Sequence, residues 1–120
     1  MSVFSASELA YLAEGKLGRL ATIDAKGRPH VVPLGWSYND ARDTIDIGGR
    51  NNEASRKYHH VQANRNVGFA VDDVLPPWRP RCVTIRGTAE VVPAGTEGPD
   101  QGALIRITPT VVTSWGLEES

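Results

Sequence analysis

Cys82-Val83-Thr84-Ile85-Arg86-Gly87-Thr88-Ala89-Glu90-Val91 carries the clearest alternation in the chain. Val83, Ile85, Gly87, Ala89 and Val91 fall on one face, and Thr84, Arg86, Thr88 and Glu90 on the other. Successive side chains of a strand point to opposite faces, so this segment predicts a half-buried antiparallel strand with its apolar face on a core. The flanking sequence supplies more strands. Leu17–Asp24 and Val31–Tyr38 are β-rich runs joined by the turn Asp24-Ala25-Lys26-Gly27, which predicts a hairpin. Turn residues over Asn39–Asp43 lead into Thr44–Gly48 and extend that hairpin to a meander. Strand returns at Val67–Val71, Leu104–Thr108 and Val111–Trp115. Asp72–Arg81 holds Pro76, Pro77 and Pro80 and reads as a rigid connection in which sheet pairing stops. Pro93–Gly102 is a polar, glycine-rich excursion.

Two short helices complete the pattern. Ser5 and Glu8 have capping-box spacing, Phe4 and Leu9 the spacing of a hydrophobic staple, and Gly15 stands where a helix stops. Leu9, Leu12 and Ala13 then form a narrow apolar stripe. The second helix covers Ser55–Asn64, with Tyr58 and Val61 spaced to face the core together. Seven short strands and two short helices predict a mainly β fold, a small antiparallel barrel with helices over its ends, as one domain over residues 1–120.

Thirteen Lys and Arg against fourteen Asp and Glu leave a net charge of −1, so no global field draws nucleic acid or anionic lipid. No strand face shows the aromatic ladder of a single-strand binder. The apolar runs are far shorter than the ~20 residues of a membrane span, and the first twelve residues lack the pattern of a secretory signal. A cytoplasmic protein is expected. Cys82, the single cysteine, cannot form an internal disulfide and reads as a small apolar filler.

Chemistry concentrates in Asp46-Ile47-Gly48-Gly49-Arg50-Asn51-Asn52-Glu53-Ala54-Ser55-Arg56-Lys57, a strand running into a helix whose opening residues are hydroxylic and cationic. Free N–H groups and the positive end of the helix dipole favour an anion there, and Arg56 and Lys57 add a fork and a point charge. Ser55 acting only as a cap, with solvated cations, is the alternative for the same residues. Pro29 and Pro33 remove backbone donors, which places their strand at an edge or bulge and leaves Val32, Pro33 and Leu34 able to present backbone to a flat heterocycle. Trp78, Arg79 and Arg81 offer a ring and two cations for stacking, for anion pairing or for a subunit contact. His59 and His60 are adjacent on a helix and cannot share a metal without outside help, so no metal site is expected. His30 is a weak proton-donor candidate whose facing the alternation leaves open.

The ordered segments Leu17-Gly18-Arg19-Leu20-Ala21-Thr22, Gly27-Arg28-Pro29-His30-Val31-Val32-Pro33, Ser55-Arg56-Lys57, Val71-Asp72-Asp73 to Arg81 and Ser114-Trp115-Gly116 resemble the pyridoxamine 5'-phosphate oxidase-like split barrels. More narrowly, they resemble the small actinobacterial branch of F420-dependent oxidoreductases. The resemblance covers nearly the whole chain except Pro93–Gly102. It implies a homodimer with two cofactor sites at the subunit interface, and F420 as cofactor with FMN as the alternative. By the resemblance, Ser55, Arg56 and Lys57 hold the phosphate, Val32, Pro33 and Leu34 lie against the ring, and Gly48 and Gly49 allow close approach. Trp78, Arg79 and Pro80 would reach in from the partner. The activity implied is reduction of a conjugated small molecule by the reduced deazaflavin. The cofactor carries the reactive group, so no catalytic side chain is obligatory. Arg28, Arg50, Arg56, Lys57, Arg79 and Arg81 are more cations than FMN needs, which favours the more acidic F420. A non-catalytic carrier of flavin, deazaflavin or haem remains the alternative from another class.

Overall fold

In the computed structural model, which describes residues 2–117, one sheet of seven antiparallel strands has the order β2-β1-β5-β6-β7-β4-β3. The strands are β1 (Gly18–Ile23), β2 (Pro29–Leu34), β3 (Ser37–Asn39), β4 (Thr44–Ile47), β5 (Asn66–Leu75), β6 (Arg79–Val92) and β7 (Leu104–Trp115). Helix α1 (Ala6–Leu12) precedes β1, and a 3-10 turn (Asn52–Ala54) leads into α2 (Arg56–Ala63) between β4 and β5. The two edge strands, β2 and β3, are consecutive in the chain and separated only by Gly35 and Trp36. Flat, seven strands would hold those edges roughly 29 Å apart, whereas two linking residues reach roughly 11 Å. The sheet must therefore curl until its edges approach without pairing, which is a split barrel. Trp36 pins the link: its indole N–H donates to the Lys16 carbonyl at 2.8 Å and its ring meets Phe69 edge-on at 5.6 Å.

The Leu17–Asp24 and Val31–Tyr38 hairpin forms with the expected turn, but three boundaries differ from the expectation. Val31–Tyr38 is two strands, because the chain crosses at Gly35–Trp36 from one sheet edge to the other. Thr44–Gly48 consequently does not extend a meander: β4 pairs with β3 and with β7. Leu104–Thr108 and Val111–Trp115 are one strand, which passes an irregularity where Gly87 faces Pro109. A Cβ at Gly87 would collide with the Thr108 carbonyl, so only glycine fits that bulge.

Asp72–Arg81 is the larger correction. Pairing does not stop there; it continues to Leu75 opposite Arg79, and β5 and β6 form a long two-stranded arm. Pro76 and Pro77 sit in its turn. Pro80 is tolerated because its carbonyl faces Gly116, so its nitrogen faces that side too, past Trp115, where the β7 ladder has ended.

Leu20, Ile45, Ile47, Val71, Val83, Ile105 and Ile107 are fully buried in the barrel. Burying a side chain of this size stabilises by about 1.5–3 kcal/mol. The expected inner face of β6 is observed, with Val83, Ile85 and Ala89 buried, and Cys82 is buried as a filler whose thiol burial pushes up. Ser5 caps α1 in a reciprocal capping box with Glu8, and Phe4, Tyr11 and Leu12 reach the core. Tyr58 and Val61 seat α2. No helix among the described residues is long and apolar enough to cross a membrane.

Candidate cofactor site

The segment between β4 and α2 is fixed from inside. Asn52 is buried, and its amide donates to the carbonyls of Ile47 at 3.0 Å and Ala103 at 2.9 Å. It ties the end of β4 to the start of β7, so the chain enters α2 at one defined place. Ser55 then uses its hydroxyl twice, donating to the Asn52 carbonyl at 2.6 Å and accepting from the Tyr58 N–H. Ser55 is thus the cap of α2, as the capping reading requires. That capping leaves the N–H groups of Arg56 and Lys57 at the helix start pointing outward, one turn before the first intrahelical bonds. Among the described residues, neither Arg56 nor Lys57 has a carboxylate within salt-bridge distance.

β2 runs past this helix start. It is an edge strand, as Pro29 and Pro33 demand, and its alternation is not that of a covered strand: Val31 is 68% exposed and Val32 39%. Val32 lies opposite Leu20 and His30 opposite Thr22, so His30, Val32 and Leu34 face inward while Val31 and Pro33 face out. A cavity of about 300 Å³ results, lined by Thr22, His30, Val32, Ser55, Arg56 and Lys57 with His60 at its wall. It brings together four of the expected site residues, Val32, Ser55, Arg56 and Lys57.

The others stand apart from that cavity. Pro33 and Leu34 continue along β2 beyond its lining. Gly48 and Gly49 lie in the connection to the 3-10 turn; Gly49 has a φ of +142° that favours glycine, and a Cβ at Gly48 would press on Leu104. Trp78, 75% exposed, tops the β5–β6 arm, with Arg79 and Pro80 in the pairs next to the turn. Thr22 lies level with the opposite end of β5, so roughly 25–30 Å of strand separates the tip from the cradle in one chain.

The arm is locked to α1. Asp73 accepts from Arg81 at 2.7 and 2.9 Å and from the Tyr11 hydroxyl at 2.8 Å, and lies 3.3 Å from Lys16. Arg81 also holds Glu14 and stacks over the Tyr11 ring at 4.8 Å. The Arg81 bonds keep the Asp73 carboxyl well below its usual range, while burial and Asp73 push the Tyr11 phenol up. Arg81 is therefore spent on Asp73 and Glu14 and leaves the set of cations counted toward a ligand. A hollow of about 570 Å³ lies here between α1 and the arm, but most of its polar groups already satisfy one another.

One pairing carries no signal in the sequence. His60 approaches β1, its Nδ1 2.9 Å from the Thr22 hydroxyl, and its ring lies 4.5 Å from that of His30. Burial, then the charges of His30 and Arg56, hold the His60 pKa below its ordinary value. His59, next to it, is exposed and takes no part in the contacts with Thr22 and His30. Among the described residues no group of three His, Cys, Asp or Glu could hold a metal ion.

An unpaired cationic helix start beside an exposed apolar edge suits a phosphorylated heterocycle, and residues 6–115 match the family model for pyridoxamine 5'-phosphate oxidase. The chain belongs to this family. It is 40% identical, over 96% of its length and 84% of the other's, to a 5a,11a-dehydrotetracycline/5a,11a-dehydrooxytetracycline reductase of Streptomyces rimosus. By name, both the family and this relative are oxidoreductases. Among solved structures, a conserved hypothetical protein of Mycobacterium tuberculosis superposes with a TM-score of 0.74 at 20% identity, covering 95% of this chain and 86% of that one. An F420 reductase superposes at 0.63 and 21%, covering 82% and 90%. These two likenesses show the split-barrel fold.

Proposed function

We propose that this protein is an F420-dependent reductase of the family, acting as a homodimer on a conjugated small-molecule acceptor. The observation that carries the reading is the cavity in which Arg56 and Lys57, without carboxylate partners, meet the exposed edge strand β2. Phosphate at the start of α2 would accept from the N–H groups of Arg56 and Lys57 and pair with both side chains. The ring of the ligand would lie along Val32, Pro33 and Leu34, whose strand offers backbone groups on its unpaired side. Gly48 and Gly49, outside the cavity lining, would give the rest of the ligand room to approach the backbone.

Ser55, Arg56 and Lys57 would hold a reduced deazaflavin there, and its chemistry would be hydride donation toward an electron-poor C=C, C=N or carbonyl group. The chain's own contribution is placement, exclusion of water by Val31, Val32 and a partner's arm, and charge neutralisation. The span between cradle and arm tip supports a dimer, because Trp78, Arg79 and Pro80 can complete a cradle only in another copy. Exposed Val31, Val111, Trp78 and Trp115 are the apolar surface such a copy would cover. The named substrate of the Streptomyces rimosus relative, a dehydrotetracycline, supports a polycyclic conjugated acceptor.

Fluorescence titration with F420 and FMN, followed by anaerobic mixing of reduced F420 with a conjugated enone, tests the reading. Tighter binding of F420 and acceptor-dependent loss of the reduced cofactor are expected. Tighter FMN binding replaces the cofactor, and F420 binding without oxidation by any conjugated acceptor replaces the enzyme with a carrier.

A further inference from the structure

The His30–His60 pair stands between two hollows. On one side is the cradle cavity; on the other a trough of about 450 Å³ lies between the Asp24–Arg28 turn and α2. Lys26, Arg28, His30, Arg56, His59 and His60 line the trough, and Arg56, His30 and His60 line both hollows. Asp24 is the one carboxylate in the lining, and it is already committed. It accepts from the backbone N–H groups of Lys26 and Arg28 and from the Arg28 Nε, at 2.8–2.9 Å. Those bonds, the Arg28 N–H first, draw its pKa down to about 2. They close the turn and hold Lys26 and Arg28 at the trough's rim.

What remains is positive charge without a partner. The terminal nitrogens of Arg28 and the ammonium of Lys26 make no hydrogen bond among the described residues, and the Arg28 side chain is 67% exposed. His60 has its Nδ1 engaged by Thr22, which fixes the ring and leaves Nε2 for another group. His30 Nε2 is 3.7 Å from Asp24, so that carboxylate is its only described counter-charge. Burial first, and then the charges on His30, Arg56 and His59, oppose protonation of His60, and Asp24 favours it. An added anion would act in the same direction as Asp24.

We infer that the trough is a second anion subsite, continuous with the cradle through Arg56 and the histidine pair, which takes a carboxylate or phosphate carried by the ligand whose phosphate sits at Ser55–Lys57. This rests on the reading of the cradle given above. A ligand with one phosphate leaves the trough empty; a ligand with further acidic groups fills both. The groups facing the trough are Asp24, Lys26 and Arg28 from the turn, His30 from β2, and Arg56, His59 and His60 from α2. Asp24 is the one anionic group among them, so the trough as a whole favours an added anion.

The test is fluorescence titration with F420, which carries an acidic tail, and with FMN, on the parent, a Lys26→Gln/Arg28→Gln double variant and Lys57→Gln. The double variant is expected to lose about tenfold in F420 affinity while FMN stays within about twofold. Lys57→Gln should weaken both. Unchanged F420 affinity in the double variant, with Lys57→Gln impaired, overturns the subsite and leaves the cradle standing. Citrate supplies a probe independent of either cofactor. At pH 6.5 it should shift the histidine C2–H resonances of His30 and His60 in the parent and not in the double variant. Should neither cofactor bind, the cradle reading falls and the citrate shift alone decides the trough: its absence overturns the subsite.

Discussion

Replacing Lys57 by Gln removes one charge from the cradle and nothing from the fold. Lys57 is half-buried, has no carboxylate partner among the described residues, and sits on the first turn of α2, where Gln is nearly as good a helix former. The stability change should stay within about 0.5 kcal/mol, as for substitutions that break no cap, pair or core contact. A charged hydrogen bond to phosphate contributes about 1.5–3 kcal/mol, and each 1.4 kcal/mol is a factor of ten. Lys57→Gln should therefore weaken F420 or FMN binding roughly 10- to 100-fold. Arg56 is exposed and more fully screened, so Arg56→Gln belongs near the lower end. Fluorescence titration at low salt and at about 0.5 M salt measures both variants. The parent should lose affinity with salt as the Debye length shrinks, and Lys57→Gln should lose less. Binding within twofold of the parent, at unchanged melting temperature, would refute a phosphate at this helix start.

Four further outcomes follow from the geometry. Ser55→Ala removes the hydroxyl that caps α2 and should cost about 1 kcal/mol, a fall in Tm of roughly 3–6 °C by calorimetry. Arg106→Met should cost about 3–5 kcal/mol in denaturant unfolding, because Asp46, buried with it, loses both guanidinium bonds and keeps only Asn39 and Thr44. Acid should destabilise the protein from about pH 4 toward pH 2: Asp24 falls from 3.8 to about 2, and Asp46 and Glu97 are also lowered, so the unfolded chain binds more protons in that window and stability drops as pH falls. For Asp46 burial opposes ionisation, but the bonds from Arg106 prevail; thermal melts across pH 2–6 measure the sum. Arg81→Met frees Asp73 and Glu14 and should speed hydrogen exchange in the arm from Val74 to Pro80, leaving the cradle's exchange unchanged.

Local chemistry was legible where one segment decides it. The capping box of Ser5 and Glu8, the alternation of Val83 to Ala89 and the paired core positions Tyr58 and Val61 each state their own structure. Gly35 and Trp36 do not: nothing local says that a β-rich run is cut there and carried to the far edge of a sheet. That crossing depends on Trp36 finding Phe69 and the Lys16 carbonyl, contacts distant in sequence. Pro80 misled for a related reason, since a proline's cost depends on whether a neighbouring strand extends far enough to need its missing donor. In the site, Ser55, Arg56 and Lys57 are contiguous and could be read together. His30 and His60 stand thirty positions apart and meet only because α2 folds back over β1.

Asn52 shows how scaffold and site are joined. Its amide nitrogen bridges Ile47 and Ala103, so β4, the start of β7 and the entry to α2 meet on one side chain, while its Oδ1 is buried without a hydrogen-bond partner among the described residues. An aspartate of the same shape would offer two carbonyls no donor and bury a charge, a cost of several kcal/mol. Leucine would remove the orphan oxygen but abandon both carbonyls. Each change reaches the cradle, because Ser55 donates its hydroxyl to the carbonyl of this same residue. Asn52→Leu should therefore weaken cofactor binding without touching a ligand atom, while Lys57→Gln weakens it without touching the fold. Comparing the two by thermal melt and titration separates the residue that places the helix start from the residue that uses it.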